Sequence, residues 1–314
     1  MKRNIKKFLF PAVAVAVLSF AACSDWTETE SLDINYPMLE EQNPELYKQY
    51  LKALRDYKAG EHKVVLVSMD NTTSAPAQRN EHLTTMPDSV DIICLMNPDN
   101  LHPTLAGEFA KVREKGTRVI YNIDYNAIEK LWEKVLADEE ANKPEEPTNP
   151  STPEATQDEG GEGGGEGEPT PEEELELRFL EFCRQQTVSQ LNLCAKYGYD
   201  GVQVNYTGRA PQAMQEEEKA QYAARQEAFF SNVKTWNEAN SGKVLVFQGN
   251  PQNLIDKSVL GECDYIVIPA LTATSADKMS FAVLMAAVED DPTDRFVIGV
   301  TTPSLTDLSD ESGY

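Results

Sequence analysis

The feature that most constrains this chain is an alternation. Short, nearly unbroken Val/Ile-rich runs are separated by stretches of helical periodicity. Such runs are expected to be strands buried on both faces, the pattern of a parallel sheet whose crossover connections cover it. Seven of them follow one another, at residues 63–70, 89–97, 117–124, 201–206, 243–248, 264–268 and 295–301. Helical stretches are predicted at 44–58, 105–115, 126–138, 172–196, 211–240 and 276–289. In the first of these Leu46, Tyr50, Leu51 and Leu54 share one face. Strands alternating with helices predict an α/β fold. No glycine-rich phosphate loop follows the first strand, so a (β/α)8 TIM-barrel-like fold is expected rather than a dinucleotide-binding open sheet. Seven strands are one short of that barrel, and the seventh lies near Tyr314, so the expectation is a barrel truncated after strand seven.

The formal charge is −24, unevenly spread. Residues 139–176 hold 14 acidic residues and one lysine, a net of −13. Within them, residues 139–171 are built of Pro, Glu, Gly, Thr and Ser, with the centre Gly160-Gly161-Glu162-Gly163-Gly164-Gly165-Glu166. So few apolar side chains cannot offset the entropy of ordering, and this stretch is expected to be a disordered insertion within one domain. Nothing in the remaining chain forms a basic groove, which argues against nucleic acid as a partner.

The start of the chain reads as a leader. Lys2, Arg3, Lys6 and Lys7 precede an apolar run from Phe8 to Phe20 that is too short to span a bilayer comfortably. The stretch Leu18-Ser19-Phe20-Ala21-Ala22-Cys23 resembles a lipobox. That resemblance implies removal of residues 1–22 as a lipoprotein signal peptide and diacylglyceryl attachment to Cys23. Residues 23–43 would be a tether and residues 44–314 the barrel domain, held at the outer membrane and facing the cell surface. Two or more acyl chains anchor stably, whereas one alone binds reversibly.

Four further cysteines, Cys94, Cys183, Cys194 and Cys263, are expected to be free and buried. Cys183 and Cys194 stand on one predicted helix about 16 Å apart along its axis, beyond the reach of a disulfide. There is no CxxC, and His62, His82 and His102 show no ligand spacing, so neither a metal site nor a cofactor is expected.

The fourth strand carries the most specific motif: Tyr199-Asp200-Gly201-Val202-Gln203-Val204-Asn205-Tyr206-Thr207. It resembles the signature Y-D-G-(V/I)-D-(I/V)-D-x-E of glycoside hydrolase family 18, which includes chitinases and endo-β-N-acetylglucosaminidases. With the leader and Ser24-Asp25-Trp26, the chain is similar to family-18-like surface lipoproteins of Bacteroidetes. The resemblance implies a barrel with its site at the C-terminal ends of the strands and N-acetylglucosamine-containing glycans as ligands.

Carried over one position at a time, Asp200 keeps the first acid of the signature. The second acid is replaced by Gln203, the third by Asn205 and the fourth by Thr207. Positions 203, 205 and 207 alternate along the strand and are expected to point into the barrel, with Val202, Val204 and Tyr206 facing the helices. In the family the last acid protonates the glycosidic oxygen, and the acid two residues earlier orients the N-acetyl group and balances charge. Thr207 is an alcohol and cannot act as that general acid near neutral pH. Asn205 cannot balance charge, and Gln203 cannot share a proton. Strand six has Ile268-Pro269-Ala270-Leu271-Thr272 in place of the family's sugar-contacting element, and strand three has Tyr121-Asn122-Ile123-Asp124-Tyr125 in place of its Ser/Gly-rich element.

The expectation is a catalytically degenerate, glycan-binding barrel without catalytic residues. Its candidate ligand-binding residues are Asn97, Asp124, Tyr125, Gln203, Asn205, Thr207, Gln248 and Asn250, neutral for the most part and able to donate and accept hydrogen bonds. Polar strand ends at Asp70, Asn71, Asn122, Thr301 and Thr302 extend the same pattern. The expected partners are a glycan, the membrane through the anchor, and a neighbouring outer-membrane glycan importer. Two alternatives stay open: a hydrolase with a relocated acid, Asp124 first and Asp70 next, and a scaffold lipoprotein that binds no sugar.

Overall fold

Each of the seven apolar runs becomes a strand of one sheet. They are β1 (Leu66–Met69), β2 (Ile92–Leu95), β3 (Arg118–Asp124), β4 (Gly201–Tyr206), β5 (Val244–Gly249), β6 (Tyr265–Pro269) and β7 (Phe296–Gly299). The sheet order is β1-β2-β3-β4-β5-β6-β7, and every adjacent pair is parallel. Neighbours in sequence are thus neighbours in space throughout. A doubly wound sheet reverses its strand order partway, whereas a (β/α) barrel does not. The fold is the α/β barrel type predicted from the alternation.

These elements come from a computed structural model in which residues 39–71, 75–143, 169–287 and 291–301 are described. The leader, Cys23, Thr302 and the centre of the acidic insertion lie outside the described residues. The chain divides into two compact units, Met1–Tyr50 and Leu51–Tyr314. In the first, the short helix α1 (Leu39–Gln42) precedes the start of α2 (Pro44–Ala59), where the Asn43 side chain accepts the Leu46 N–H at 3.1 Å. α1 falls within the stretch expected to be a tether.

The second unit holds the sheet and the helices α3 (Pro103–Glu114), α4 (Tyr125–Ala141), α5 (Pro171–Tyr197), α6 (Glu216–Ala239), α7 (Ser258–Glu262) and α8 (Ala276–Ala286). Local chemistry sets several boundaries. Thr170 and Glu173 form a reciprocal capping box at the start of α5, and Gly198 closes it in the left-handed conformation at φ 71°. α6 begins later than its sequence pattern indicates. Residues Pro211–Ala213 form a separate 3-10 turn, and Glu216, Glu217 and Glu218 then occupy the first helical turn, where negative charge is favoured. Both edges of the insertion tighten as well, because α4 runs on to Ala141 and α5 starts at Pro171.

The sheet has two apolar faces of different character. Toward the helices, Val202, Val204 and Tyr206 of β4 join Tyr121, Phe229, Phe247 and Leu245 in the larger core. On the opposite face Ile92, Cys94, Ile120, Val244, Val246 and Val267 form a smaller cluster. Strand parity is therefore as predicted for β4. Cys94, Cys183, Cys194 and Cys263 are free and buried.

The N-terminal ends of the strands repeat one device. The carboxylates of Asp91, Asp200 and Asp264, which precede β2, β4 and β6, accept the backbone N–H of Val65, Val119 and Leu245 at 2.8, 2.9 and 2.9 Å. Each satisfies a backbone donor at the start of the neighbouring odd-numbered strand, in the first case one residue before it. Asp91 also meets His62, whose Nε2 lies 2.9 Å from Asp91 Oδ1 while its Nδ1 lies 2.9 Å from the Gly60 carbonyl. Both partners are acceptors, so the geometry selects the doubly protonated ring. The His62 pKa is accordingly raised, first by the Gly60 carbonyl and then by Asp91.

Because the folded value is raised, the stabilisation from His62 is fully present below the unfolded pKa of 6.5 and is lost as pH rises through the higher folded value. Denaturant titrations across that window should show stability falling with pH in the wild type, and His62→Gln should flatten the fall.

Candidate functional site

The register of the three central strands builds the site. Asn122 of β3 stands opposite Gln203 of β4, and Asp124 stands opposite Asn205, which in turn stands opposite Gln248 of β5. These residues share the face of the smaller apolar cluster and lie beyond it, toward the C-terminal ends of the strands. An apolar layer thus gives way to a layer of amides.

Gln203 is fully buried. Its Nε2 donates to Asn122 Oδ1 at 3.1 Å and to Gln248 Oε1 at 2.6 Å. Each acceptor oxygen takes one of these bonds, which orients the amino groups of Asn122 and Gln248 as donors toward a ligand. The Gln203 Oε1 is buried without a hydrogen-bond partner. A buried acceptor left unpaired costs about 1–3 kcal/mol, and such groups concentrate where structure serves function. One tier outward, the Asn205 side chain is partly exposed.

Thr207 is held by asparagines. Asn126 donates to its Oγ1 at 3.0 Å, while Asn250 and Asn253 donate to its carbonyl at 3.1 and 2.7 Å. Asn253 also reaches the Gly208 carbonyl at 3.2 Å. The Thr207 hydroxyl accepts from Asn126 and keeps its own proton for a ligand. Two glycines permit this loop. At Gly208 (φ 51°) a Cβ would lie 2.4 Å from the Tyr206 ring, and at Gly249 (φ 141°) it would lie 1.9 Å from the Tyr206 carbonyl oxygen.

A cleft of about 550 Å³ opens at the C-terminal ends of β2 and β3. Asn97, Asn122, Asp124, Leu131, Gln186 and Gln190 contribute to its lining. Asn97 is fixed from below by the buried Asn71, whose amide both accepts the Asn97 N–H at 2.8 Å and donates to its carbonyl at 2.7 Å. The Asn97 amide donates to Asp70 at 2.6 Å. Asp124 caps α4 by accepting the Asn126 N–H at 3.0 Å, and partial burial raises its carboxyl pKa above the usual range.

The sequence-predicted residues therefore separate. Asn97 and Asp124 line the cleft. Gln203 and Gln248 share one amide network, with Asn205 and Thr207 further along the same face of β4. Tyr125 is not among them: it is 3% exposed, and its ring packs edge-on against Tyr206 and Phe229 in the core beneath the helices. It is the first residue of α4, one position past the inward-facing Asp124. Asn250 acts on the Thr207 backbone rather than presenting its amide to the cleft.

Asp200 belongs to the other end of β4. There it accepts the Val119 N–H and two bonds from Arg113 Nε, at 3.1 and 3.0 Å. Asn126 and Asn253 were missed because both sit inside turns, where asparagine is common for local reasons. Among the described residues no group of His, Cys, Asp and Glu could hold a metal ion, and no helix is long and apolar enough to cross a membrane.

The family model described as glycoside hydrolase family 18, BT1044-like, matches residues 27–158 and 172–300. This chain belongs to that family. A solved structure of a selenomethionine form of BT1044 bearing a Glu-to-Gln substitution is 16% identical, covers 83% of this chain and 73% of its own, and superposes with a TM-score of 0.51. At that identity the likeness shows the fold alone. A family 18 chitinase from Pseudoalteromonas aurantia is 11% identical, with 80% and 84% of the two chains covered and a TM-score of 0.43. The glycoside hydrolase domain of PelA from Pseudomonas aeruginosa is 14% identical, with 66% and 67% covered and a TM-score of 0.32. No curated protein matches the chain. The matched stretch includes the whole of β4 and omits residues 159–171 of the acidic insertion.

Asp200 carries strand-start hydrogen bonds and an ion pair, far along β4 from Thr207. Asp200→Ala should therefore lower the unfolding free energy by about 2 kcal/mol, as expected for charge-assisted bonds. Urea denaturation measures the loss.

Proposed function

We propose that this chain is a surface lipoprotein that binds N-acetylglucosamine-containing glycans on a family 18 scaffold without hydrolysing them. The observation that carries the reading is the amide layer Asn122–Gln203–Gln248, continued by Asn205 and Thr207; of these, Gln203, Asn205 and Thr207 stand where the family signature has carboxylic acids. Neutral amides pair with hydroxyl and acetamido groups without desolvating a charge. The Thr207 hydroxyl, held by Asn126, offers a hydrogen bond where a general acid is needed. In this reading Cys23 carries the lipid anchor and the glycan passes on to a neighbouring importer in the outer membrane.

One observation favours a second reading. Asp124 is a partly buried carboxyl with a raised pKa at the cleft, the property required of a relocated acid. The two readings part on turnover. A scaffold lipoprotein that binds no sugar is the third outcome.

Calorimetric titration with chitin oligomers and a high-mannose N-glycan core should show saturable binding, with no reducing sugar released on prolonged incubation. Asn205→Ala should weaken that binding about tenfold, the worth of one or two hydrogen bonds. Thr207→Glu alone should leave the protein inactive, because Asn205 remains neutral. Release of reducing sugar by the wild type, abolished by Asp124→Asn, would establish the second reading. Absence of any binding heat would establish the third.

A further inference from the structure

A cavity of about 720 Å³ lies at the opposite end of the sheet from the glycan cleft. Its walls come from the N-terminal ends of the strands and from the last turns of α2, α3 and α6. Six groups that carry or can carry positive charge line it: Arg55, Lys58, His62, Arg113, Arg118 and Lys243. The acids among the lining residues are Asp91 and Asp200.

Those acids are committed. Asp200 is bound by Arg113, and Asp91 by His62. Asp88 nearby is paired with Lys115 at 2.8 Å. The remaining cations spend their hydrogen bonds on neutral groups, with Asp91 and Asp88 acting on Lys58 through space. Arg55 donates to the Glu114 carbonyl at 2.7 Å, Lys58 to the Val90 carbonyl and the Thr117 hydroxyl at 2.6 and 2.7 Å, and Lys243 to the Tyr199 carbonyl. Carbonyls at helix ends offset only about half a charge per helix. Four positive charges therefore converge with partial compensation, in a chain whose formal charge is −24.

Arg118 is the most telling of them. It opens β3, pairs in register with Ile92 and shares the parity of Ile120, which puts it on the face of the smaller apolar cluster, exposed at the N-terminal end of the strand. No hydrogen bond or ion pair engages its guanidinium among the described residues. Beside it, Tyr265, Val64 and Ile92 supply an apolar wall. A planar guanidinium with its donors unspent, a ring of further cations and an apolar wall together suit an organic anion.

We propose that this cavity binds a small organic oxyanion, a phosphorylated or carboxylated molecule of about monosaccharide size. Arg118 is the principal anion contact, Lys58 and Lys243 supply supporting charge, and the carbon skeleton lies against Tyr265. The site is separate from the glycan cleft and does not depend on it.

Calorimetric titration of the full chain at constant ionic strength tests this with glucose 6-phosphate, glucuronate, inorganic phosphate and glucose. The proposal predicts saturable binding of at least one of the two sugar anions, more tightly than inorganic phosphate, and none of glucose. Arg118→Gln should weaken the anion about tenfold, with Arg118→Lys intermediate. Lys243→Gln gives an independent second loss. Thermal unfolding of each variant confirms that it is folded. Absence of saturable binding by either sugar anion would overturn the proposal, as would undiminished binding by both the Arg118→Gln and Lys243→Gln variants. Equal affinity for inorganic phosphate would overturn the place given to the carbon skeleton.

Discussion

β4 sits between two parallel partners from Gly201 to Asn205, and the rest of the architecture answers to that position. With hydrogen bonds on both edges and side chains packed on both faces, each residue of β4 is committed to one environment. Val202, Val204 and Tyr206 lock the strand to the helices. Gln203, Asn205 and Thr207 are thereby turned to the opposite face, where a shift of one residue would exchange apolar for polar along the whole strand. The ladder fixes which residues can form the site before any ligand arrives.

The two ends of the sheet then carry different electrostatics. At the C-terminal ends polar groups are mostly neutral and organised by amide-to-amide bonds, with Gln203 donating in two directions. At the N-terminal ends carboxylates cap the starts of odd-numbered strands, and basic side chains gather about the helix ends. Asp200 shows why one motif can span both environments. It stands within the family 18 signature, yet its carboxylate serves strand pairing and Arg113, while its counterparts three, five and seven residues on face the site. Asp200 and the side chains of Gln203, Asn205 and Thr207 thus serve different ends of the strand.

Much of this was legible in the sequence. Continuous Val/Ile runs announced the parallel sheet because burial on both faces leaves no alternation to read. The period of two placed Gln203 with its inward neighbours for the same reason that it turned Tyr206 toward the helices. What escaped was the outcome of tertiary register. Whether Asn250 faces a ligand or grips the Thr207 backbone depends on how a loop after β5 lies against one after β4, and local sequence does not encode that distance. Tyr125 was misplaced by a single position at a strand-to-helix junction, where the period changes from 2 to 3.6. The basic cavity was hidden by the net charge, since its cations are scattered from Arg55 to Lys243 and only the fold collects them.

The central claim is that neutral amides at the ends of β3, β4 and β5 hold a glycan that the protein leaves intact. Side-chain amide resonances followed by NMR during titration with a chitin disaccharide test it most directly. Movement of the Asn122, Asn205 and Gln248 side-chain amides, with the disaccharide unchanged at the end, is the predicted result. Unmoved amides, or a cleaved disaccharide, would contradict it.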